Sequence, residues 1–87
     1  MEIFGKVIEI IPTVSGENER GEWSRAGFVV ESYGEYPIQL ALELHNDNIQ
    51  RLMPPLNAIV RVQFSISSRK VLDKWFTSTR CYRVEIQ

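Results

Sequence analysis

Strict alternation of apolar and polar residues in two segments constrains the fold of this chain more than any other feature. In the segment IQLALELH, Ile38 to His45, isoleucine or leucine occupies every second position. The segment from Ala58 to Arg69 repeats the pattern, and its apolar parity consists of Ala58, Val60, Val62, Phe64 and Ile66. A period of two is typical of a strand with one buried face. The sequence therefore predicts a β-sheet whose strands each turn one side toward a core.

The first two strands are predicted from shorter apolar runs and from the residues that interrupt them. The first strand covers Glu2–Ile11 and ends at Pro12, and the second covers Trp23–Ser32. We interpret the segment between them, Pro12–Glu22, as a long polar loop. One parity of the second strand is apolar, so we expect it to pack in the core, and its members are Ala26, Phe28 and Val30.

The C-terminal half adds one short helix and the last strand. Asn48–Met53 carries apolar side chains at helical spacing and stops at two prolines, which predicts a helix of about two turns. A loop over Lys70–Lys74 is predicted to precede the last strand, Trp75–Ile86. Because adjacent strand residues point to opposite faces, we expect Trp75 to point outward. The expected inner set of this strand is Phe76, Tyr82, Val84 and Ile86.

The predicted order of elements indicates the fold class. Five strands with one helix between the third and the fourth is the order of the OB-fold, a five-stranded Greek-key barrel. The chain has 87 residues, which suffices for one modest core, so we predict a single all-β OB-fold domain over residues 1–87. A sheet face and the connecting loops of this fold bind oligonucleotides or oligosaccharides.

Charge is distributed unevenly along the chain. The net charge is -1, yet residues 1–50 hold three cations and nine anions, whereas residues 51–87 hold seven cations and two anions. A basic C-terminal part indicates an anionic partner. The alternative, charges scattered over a solvated surface, stays open because strands from both halves interleave in a small β-fold.

No combination of residues with catalytic or metal-binding chemistry is visible. Cys81 is the only cysteine and His45 the only histidine, so we expect neither a disulfide nor a metal site, and we expect Cys81 to be a small buried strand residue. The segment GENERGE, Gly16–Glu22, has the glycine spacing of a phosphate loop but ends in glutamate where lysine is needed. We therefore predict a protein that is not an enzyme and needs no cofactor. With no leader and no apolar span of about 20 residues, we expect a cytoplasmic location and no membrane partner.

Several stretches together carry a resemblance to a known family. They are MEIFGKVIEIIP, EWSRAGFVVES, YPIQLALELHND, and VRVQFSISSRK followed by KWFTSTRCYRVE. In this layout the chain resembles a small bacterial family of uncharacterised OB-fold proteins that is similar to single-stranded-DNA-binding protein and primosomal replication protein. The resemblance spans nearly the whole chain and implies binding of single-stranded nucleic acid, with DNA as the expected form. No acidic recruitment tail follows the last predicted strand, so no recruitment role is expected.

Binding of that kind needs cations near the phosphates and exposed rings on which bases stack. Trp23 and Arg25 share the outward parity of the second strand, and Tyr36 lies beside Pro37 at the second turn. The other candidates cluster around the fourth connection. The complete set of predicted binding residues is Trp23, Arg25, Tyr36, Arg69, Lys70, Lys74, Trp75 and Arg80.

Two functions of different classes stay open. The leading hypothesis is a non-enzymatic module that binds single-stranded nucleic acid by base stacking and phosphate neutralisation. The alternative is an OB-fold protein-interaction or homo-oligomeric assembly module without nucleic acid binding, a dimer or tetramer formed through the outward apolar residues Val29, Ile59 and Trp75. The near-neutral net charge favours assembly, whereas the grouping of rings with cations favours nucleic acid. An oligosaccharide site is a third option.

Overall fold

The computed structural model describes residues 1–87 and consists of five strands and one short helix. The elements are β1 (Glu2–Asn18), β2 (Gly21–Ser32), β3 (Gln39–His45), α1 (Asn48–Leu52), β4 (Ile59–Val71) and β5 (Lys74–Ile86). The strands close into a barrel in the order β1-β2-β3-β5-β4. The predicted all-β barrel of the OB type, with its helix between the third and fourth strands, is therefore confirmed. No helix has the length and apolar character needed to cross a membrane.

Strand β1 holds the barrel together by pairing with two neighbours. Its first part, Glu2–Lys6, pairs with β4, and the stretch from Gly5 to Asn18 pairs with β2. A Cβ atom at Gly5 would overlap the carbonyl oxygen of Glu31, so the close approach of β1 to β2 requires glycine at this position. All other neighbouring strands are antiparallel except β3 and β5, which run parallel.

The inner faces of β2, β3 and β4 form most of the core, as the alternation predicts, and β1 and β5 add Ile3, Val7 and Cys81. Its fully buried side chains include Val7, Phe28, Val30, Leu42, Leu44, Val60 and Val62. Helix α1 packs Ile49 and Leu52 against this cluster, which confirms the helical spacing read from the sequence. Burying one apolar face of each strand gives the sheet a single inside.

The first connection is a strand pair rather than the predicted loop. Within Pro12–Glu22, β1 continues to Asn18 and pairs with β2 up to Gly21. Pro12 fits because the register of β1 against β2 shifts between Ile11 and Val14, and β4 pairs with only the first five residues of β1. The paired residues 14–25 form what we call the β1–β2 arm.

The fourth connection is also shorter than predicted. β4 and β5 stay paired up to Val71 and Lys74, so only Leu72 and Asp73 form the turn, where the loop Lys70–Lys74 was expected. Leu72 adopts a left-handed conformation, with φ of 58°. The paired residues 65–80 form the β4–β5 arm. Ile66, expected in the core, lies on this arm and is exposed.

The inner set predicted for β5 is wrong over most of the strand. Phe76 is 53% exposed, and Tyr82 and Ile86 are exposed as well, whereas Cys81 is fully buried in the core cluster. Cys81 pairs with Phe64 while Arg83 pairs with Gln63, which leaves Tyr82 as an extra residue opposite no partner. Such a bulge exchanges the inward and outward parities. The positions that face the core are therefore Cys81 before the bulge and the partly buried Val84 after it.

The buried cysteine confirms the expectation of a small strand residue. Burial raises the pKa of the Cys81 thiol from 9.0 to about 11, and its contact with the Arg83 backbone opposes this shift. The thiol stays protonated near neutral pH, and the thiolate is the reactive form of cysteine. Cys81 therefore serves in packing.

Candidate nucleic-acid interface

A continuous row of outward-facing residues crosses the sheet from β1 to β4. Its members, in order of pairing, are Ile11, Gly27, Glu43, Arg80 and Ser65. Residues that pair directly across neighbouring strands present their side chains on the same face. The row therefore defines an outer face on which residues distant in sequence lie side by side, and Arg25 shares this face because it lies two positions from Gly27 on β2.

A groove of about 390 Å³ lies on this outer face. Gly27 and Ala41 form the floor of the groove, and neither has a side chain larger than a methyl group. The bend of β1 borders the groove on one side through Ile11, Pro12 and Val14, and residues 77–79 of β5 border it on the other. A side chain at Gly27 would collide with the carbonyl oxygen of Leu42, so the glycine keeps the strands close and the floor bare.

A second depression of about 360 Å³ continues the groove along the β4–β5 arm. The two cavities share Arg25, Glu43 and residues 77–78. The second one adds the guanidinium groups of Arg69 and Arg80 and the ring of Phe76. Together the two cavities form one elongated cleft, which we call the outer cleft.

The three guanidinium groups of the outer cleft have no carboxylate partner. The ion pairs of the structure join Arg61 to Glu2 and Arg83 to Glu85, and the ring of His45 contacts the carboxylate of Glu43. None of these contacts involves Arg25, Arg69 or Arg80. Glu43 is the one carboxylate that lines the cleft, and its Oε2 atom lies 3.2 Å from the Nε2 atom of His45. The cleft therefore has three guanidinium groups without a carboxylate partner and one carboxylate, which already contacts His45. This excess of positive charge suits an anion, and the planar guanidinium group can donate two hydrogen bonds to phosphate oxygens.

The two adjacent rings of the β4–β5 arm lie on opposite faces. Phe76 pairs with Arg69, and Trp75 pairs with Lys70. Phe76 lines the outer cleft, whereas Trp75 lines none of the cavities, although it is 69% exposed. Trp75 is exposed at the surface as predicted, but it has the parity of the buried Cys81 rather than the predicted outward parity, so its ring faces away from the cleft.

The structure brings together three of the eight predicted binding residues, Arg25, Arg69 and Arg80, in the outer cleft. Trp23 lies at its margin, since it shares a small depression with Arg25 and His45. The indole of Trp23 covers Gly16, where a Cβ atom would collide with the ring.

The other four predicted residues lie elsewhere. Lys70 and Trp75 occupy the far face of the β4–β5 arm, and Lys74 lies at its turn. Tyr36 is 84% exposed in the connection between β2 and β3 and lines no cavity. No group of three histidine, cysteine, aspartate or glutamate side chains is placed to hold a metal ion.

Sequence reasoning missed Phe76 and the serines that flank it on the cleft, Ser67 and Ser78. The expected burial of Cys81 indicates which residues of β5 face outward. Counting back from Cys81 in steps of two assigns Trp75 to the inner parity of β5 and Phe76 to the outer one, together with Arg80. The bulge at Tyr82 gives the two parts of β5 opposite parities, so a single parity does not hold along the whole strand.

The margin of the cleft beside Trp23 is acidic. Glu17 and Glu22 are directly paired on the β1–β2 arm, and both line a depression with Trp23. Neither carboxylate takes part in an ion pair. An anionic ligand is repelled from this arm and attracted toward Arg25, Arg69 and Arg80.

Comparison with protein-family models gives a match over almost the whole chain. Residues 2–85 match the family described as "Domain of unknown function (DUF3127)". The match begins at the first residue of β1 and ends one residue before the end of β5. A search of curated proteins finds no match.

Proposed function

Because this chain belongs to the DUF3127 family, whose description names no ligand, we propose its function from the geometry of its own outer face. The proposal is that the outer cleft binds single-stranded nucleic acid by phosphate neutralisation and base stacking, without enzymatic activity. The resemblance of the sequence to relatives of single-stranded-DNA-binding protein supports DNA as the form bound.

One observation carries the proposal: three unpaired guanidinium groups and one exposed ring converge on a cleft with a bare floor. Arg25, Arg69 and Arg80 supply positive charge in the cleft, and Phe76, the cross-strand partner of Arg69, supplies an aromatic face. These are the two components that proteins use to bind single strands with little sequence preference.

The dimensions of the cleft favour a single strand over a duplex. Its main groove of about 390 Å³ is bordered on both sides by strands, a size that suits individual bases better than a double helix. In a duplex the bases are paired and stacked, whereas an unstacked single strand can turn its bases toward Gly27, Ala41 and the Phe76 ring. We therefore propose that bases face the floor and that phosphates face the arginines.

The experiment is a titration of fluorescent oligo-dT, followed by anisotropy at several salt concentrations. On a single strand each neutralised phosphate contributes about -0.7 to the slope of log K against log salt, so three phosphates are expected to give a slope of about -2. Arg80→Gln removes one of these contacts and is expected to make the slope shallower by about 0.7. The matched control is Arg51→Gln on α1, which removes one exposed charge outside all cavities and is expected to keep the wild-type slope.

Two outcomes would contradict the proposal. The first is absence of binding at low salt with micromolar protein, which would leave the assembly alternative as the better hypothesis. The second is an equal loss of slope in the Arg80 and Arg51 variants, because that result would indicate attraction by overall charge rather than by the cleft.

A further inference from the structure

The proposed nucleic-acid site leaves one face of the β4–β5 arm unused. This far face carries Lys70 paired with Trp75, and it ends at Leu72 in the turn. Leu72 is 92% exposed and Trp75 lines no cavity, so two large apolar side chains stand in solvent beside lysines. Apolar groups exposed together and rimmed by polar ones mark interaction surfaces. This end of the arm, residues 70–75, is called the basic tip: Lys70 shares the face of Trp75, Lys74 shares the face of Phe76, and Asp73 in the turn leaves a net charge of +1.

The β1–β2 arm presents a surface of opposite charge. A depression of about 390 Å³ on this arm is lined by Ser15, Gly16, Glu17, Glu22, Trp23 and Ser24. Its apolar part is the Trp23 indole, which lies over Gly16. Because Glu17 and Glu22 are directly paired and lack cationic partners, their mutual repulsion destabilises this pair of strands. A bound cation would remove that repulsion. We call this surface the acidic depression.

We propose that the basic tip of one copy docks on the acidic depression of a second copy of this chain. Trp75 and Leu72 would cover the exposed part of the Trp23 indole, while the lysines approach Glu17 and Glu22. Charge complementarity identifies the partner as a second copy: residues 70–75 carry a net charge of +1 (Lys70 and Lys74 against Asp73), and residues 17–22 carry -2 (three glutamates against Arg20). No ion pair joins the two arms within one molecule.

The geometry of this contact determines what kind of assembly forms. The two surfaces differ, so each docked copy keeps one free tip and one free depression, and association continues head to tail into open chains or rings. Each of the two surfaces comprises only about six residues, whereas a standard stable interface has roughly 20–30 residues a side. The assembly is therefore weak, and salt dissociates it because its charges are exposed.

A charge-swap experiment tests the contact with protein freed of nucleic acid, so its outcome is independent of the proposed function. One variant combines Glu17→Lys with Glu22→Lys, and the other combines Lys70→Glu with Lys74→Glu. At about 0.01 M salt, where screening extends over about 30 Å, the sedimentation mass of the wild type is expected to rise with concentration beyond that of a dimer. Each variant alone is expected to stay monomeric, and an equimolar mixture is expected to regain the wild-type behaviour.

The control combines Lys6→Glu with Arg51→Glu, which changes the net charge as the basic-tip variant does but lies outside both arms. It is expected to associate like the wild type. The proposal is overturned if the wild type is monomeric at low salt, if either charge-reversed variant still associates by itself, or if the mixture stays monomeric. Trp75→Ser keeps every charge and is expected to abolish association. Full association of that variant would also overturn the proposal.

Discussion

Replacing Phe76 with alanine is expected to weaken oligo-dT binding about 5- to 140-fold. The ring is exposed in the outer cleft beside Arg69 and Arg80, where it can stack against a base. Loss of one stacked base costs roughly 1–3 kcal/mol, and about 1.4 kcal/mol corresponds to a tenfold change in affinity. Anisotropy titration of a fluorescent oligonucleotide at fixed low salt measures the change.

Trp75→Ala is the matched control for this prediction because it removes the neighbouring ring from the opposite face of the same arm. Oligonucleotide affinity is expected to stay close to the wild-type value, since Trp75 does not line the outer cleft. A larger loss for Trp75→Ala than for Phe76→Ala would mean that bases stack on the far face, contrary to the interface proposed.

Replacing Phe28 with alanine is expected to lower the free energy of unfolding by about 3–5 kcal/mol. Phe28 lies on β2, is fully buried, and pairs directly with Ile10 and Leu42 in the centre of the sheet. Its removal leaves a cavity that neighbouring strands cannot close without breaking their pairing. The total free energy of unfolding of a small domain is about 5–15 kcal/mol, so this variant is expected to be close to unfolding. Urea denaturation followed by circular dichroism measures the effect.

Phe76→Ala is the same chemical change at an exposed site, so it is the natural control for Phe28→Ala. Its urea midpoint is expected to fall much less than that of Phe28→Ala, because Phe76 is 53% exposed in the folded protein whereas Phe28 is fully buried. Comparable destabilisation by the two substitutions would show that Phe76 packs in the interior, and would remove the ring from the proposed site.

The inner faces of the central strands could be predicted from sequence because their alternation is uninterrupted. Phe28 and Val30 on β2, and Leu42 and Leu44 on β3, are buried as their parity requires. A one-residue slip would turn these side chains to solvent, so the hydrophobic pattern fixes the register. The position of α1 between the third and fourth strands was predicted from helical spacing and from the two prolines that follow it.

The two arms could not be predicted because they lie beyond the core and carry no burial signal. Val14 and Ile66 are exposed although they belong to long paired strands, so cross-strand pairing rather than a hydrophobic face defines these segments. Pro12 is typical of the end of a strand, yet it lies inside β1. It is tolerated there because the register with β2 shifts at this point and β4 no longer pairs with this part of β1. Leu72 resembles an ordinary loop residue but takes the left-handed turn position.

The cations of the candidate site were easier to predict than its ring. Arg25, Arg69 and Arg80 were selected because they lie near aromatic residues in the sequence, and the parallel pairing of β3 with β5 brings them to one face. The choice between Trp75 and Phe76 depended on the parity of β5, which the bulge at Tyr82 reverses. The local sequence does not mark the bulge, since no glycine is present and Tyr82, Arg83 and Val84 alternate as they would in a regular strand.

The most direct test of the central claim, that the outer cleft holds single-stranded nucleic acid, is a titration of isotopically labelled protein with oligo-dT, followed by backbone amide chemical shifts. Shifts are expected at residues 25–29 of β2, 41–45 of β3 and 76–80 of β5. Little change is expected at Phe4 and Arg61, which pair with each other across β1 and β4, away from the cleft. Shifts concentrated around Phe4 and Arg61, or no shifts at saturating oligonucleotide, would contradict the claim.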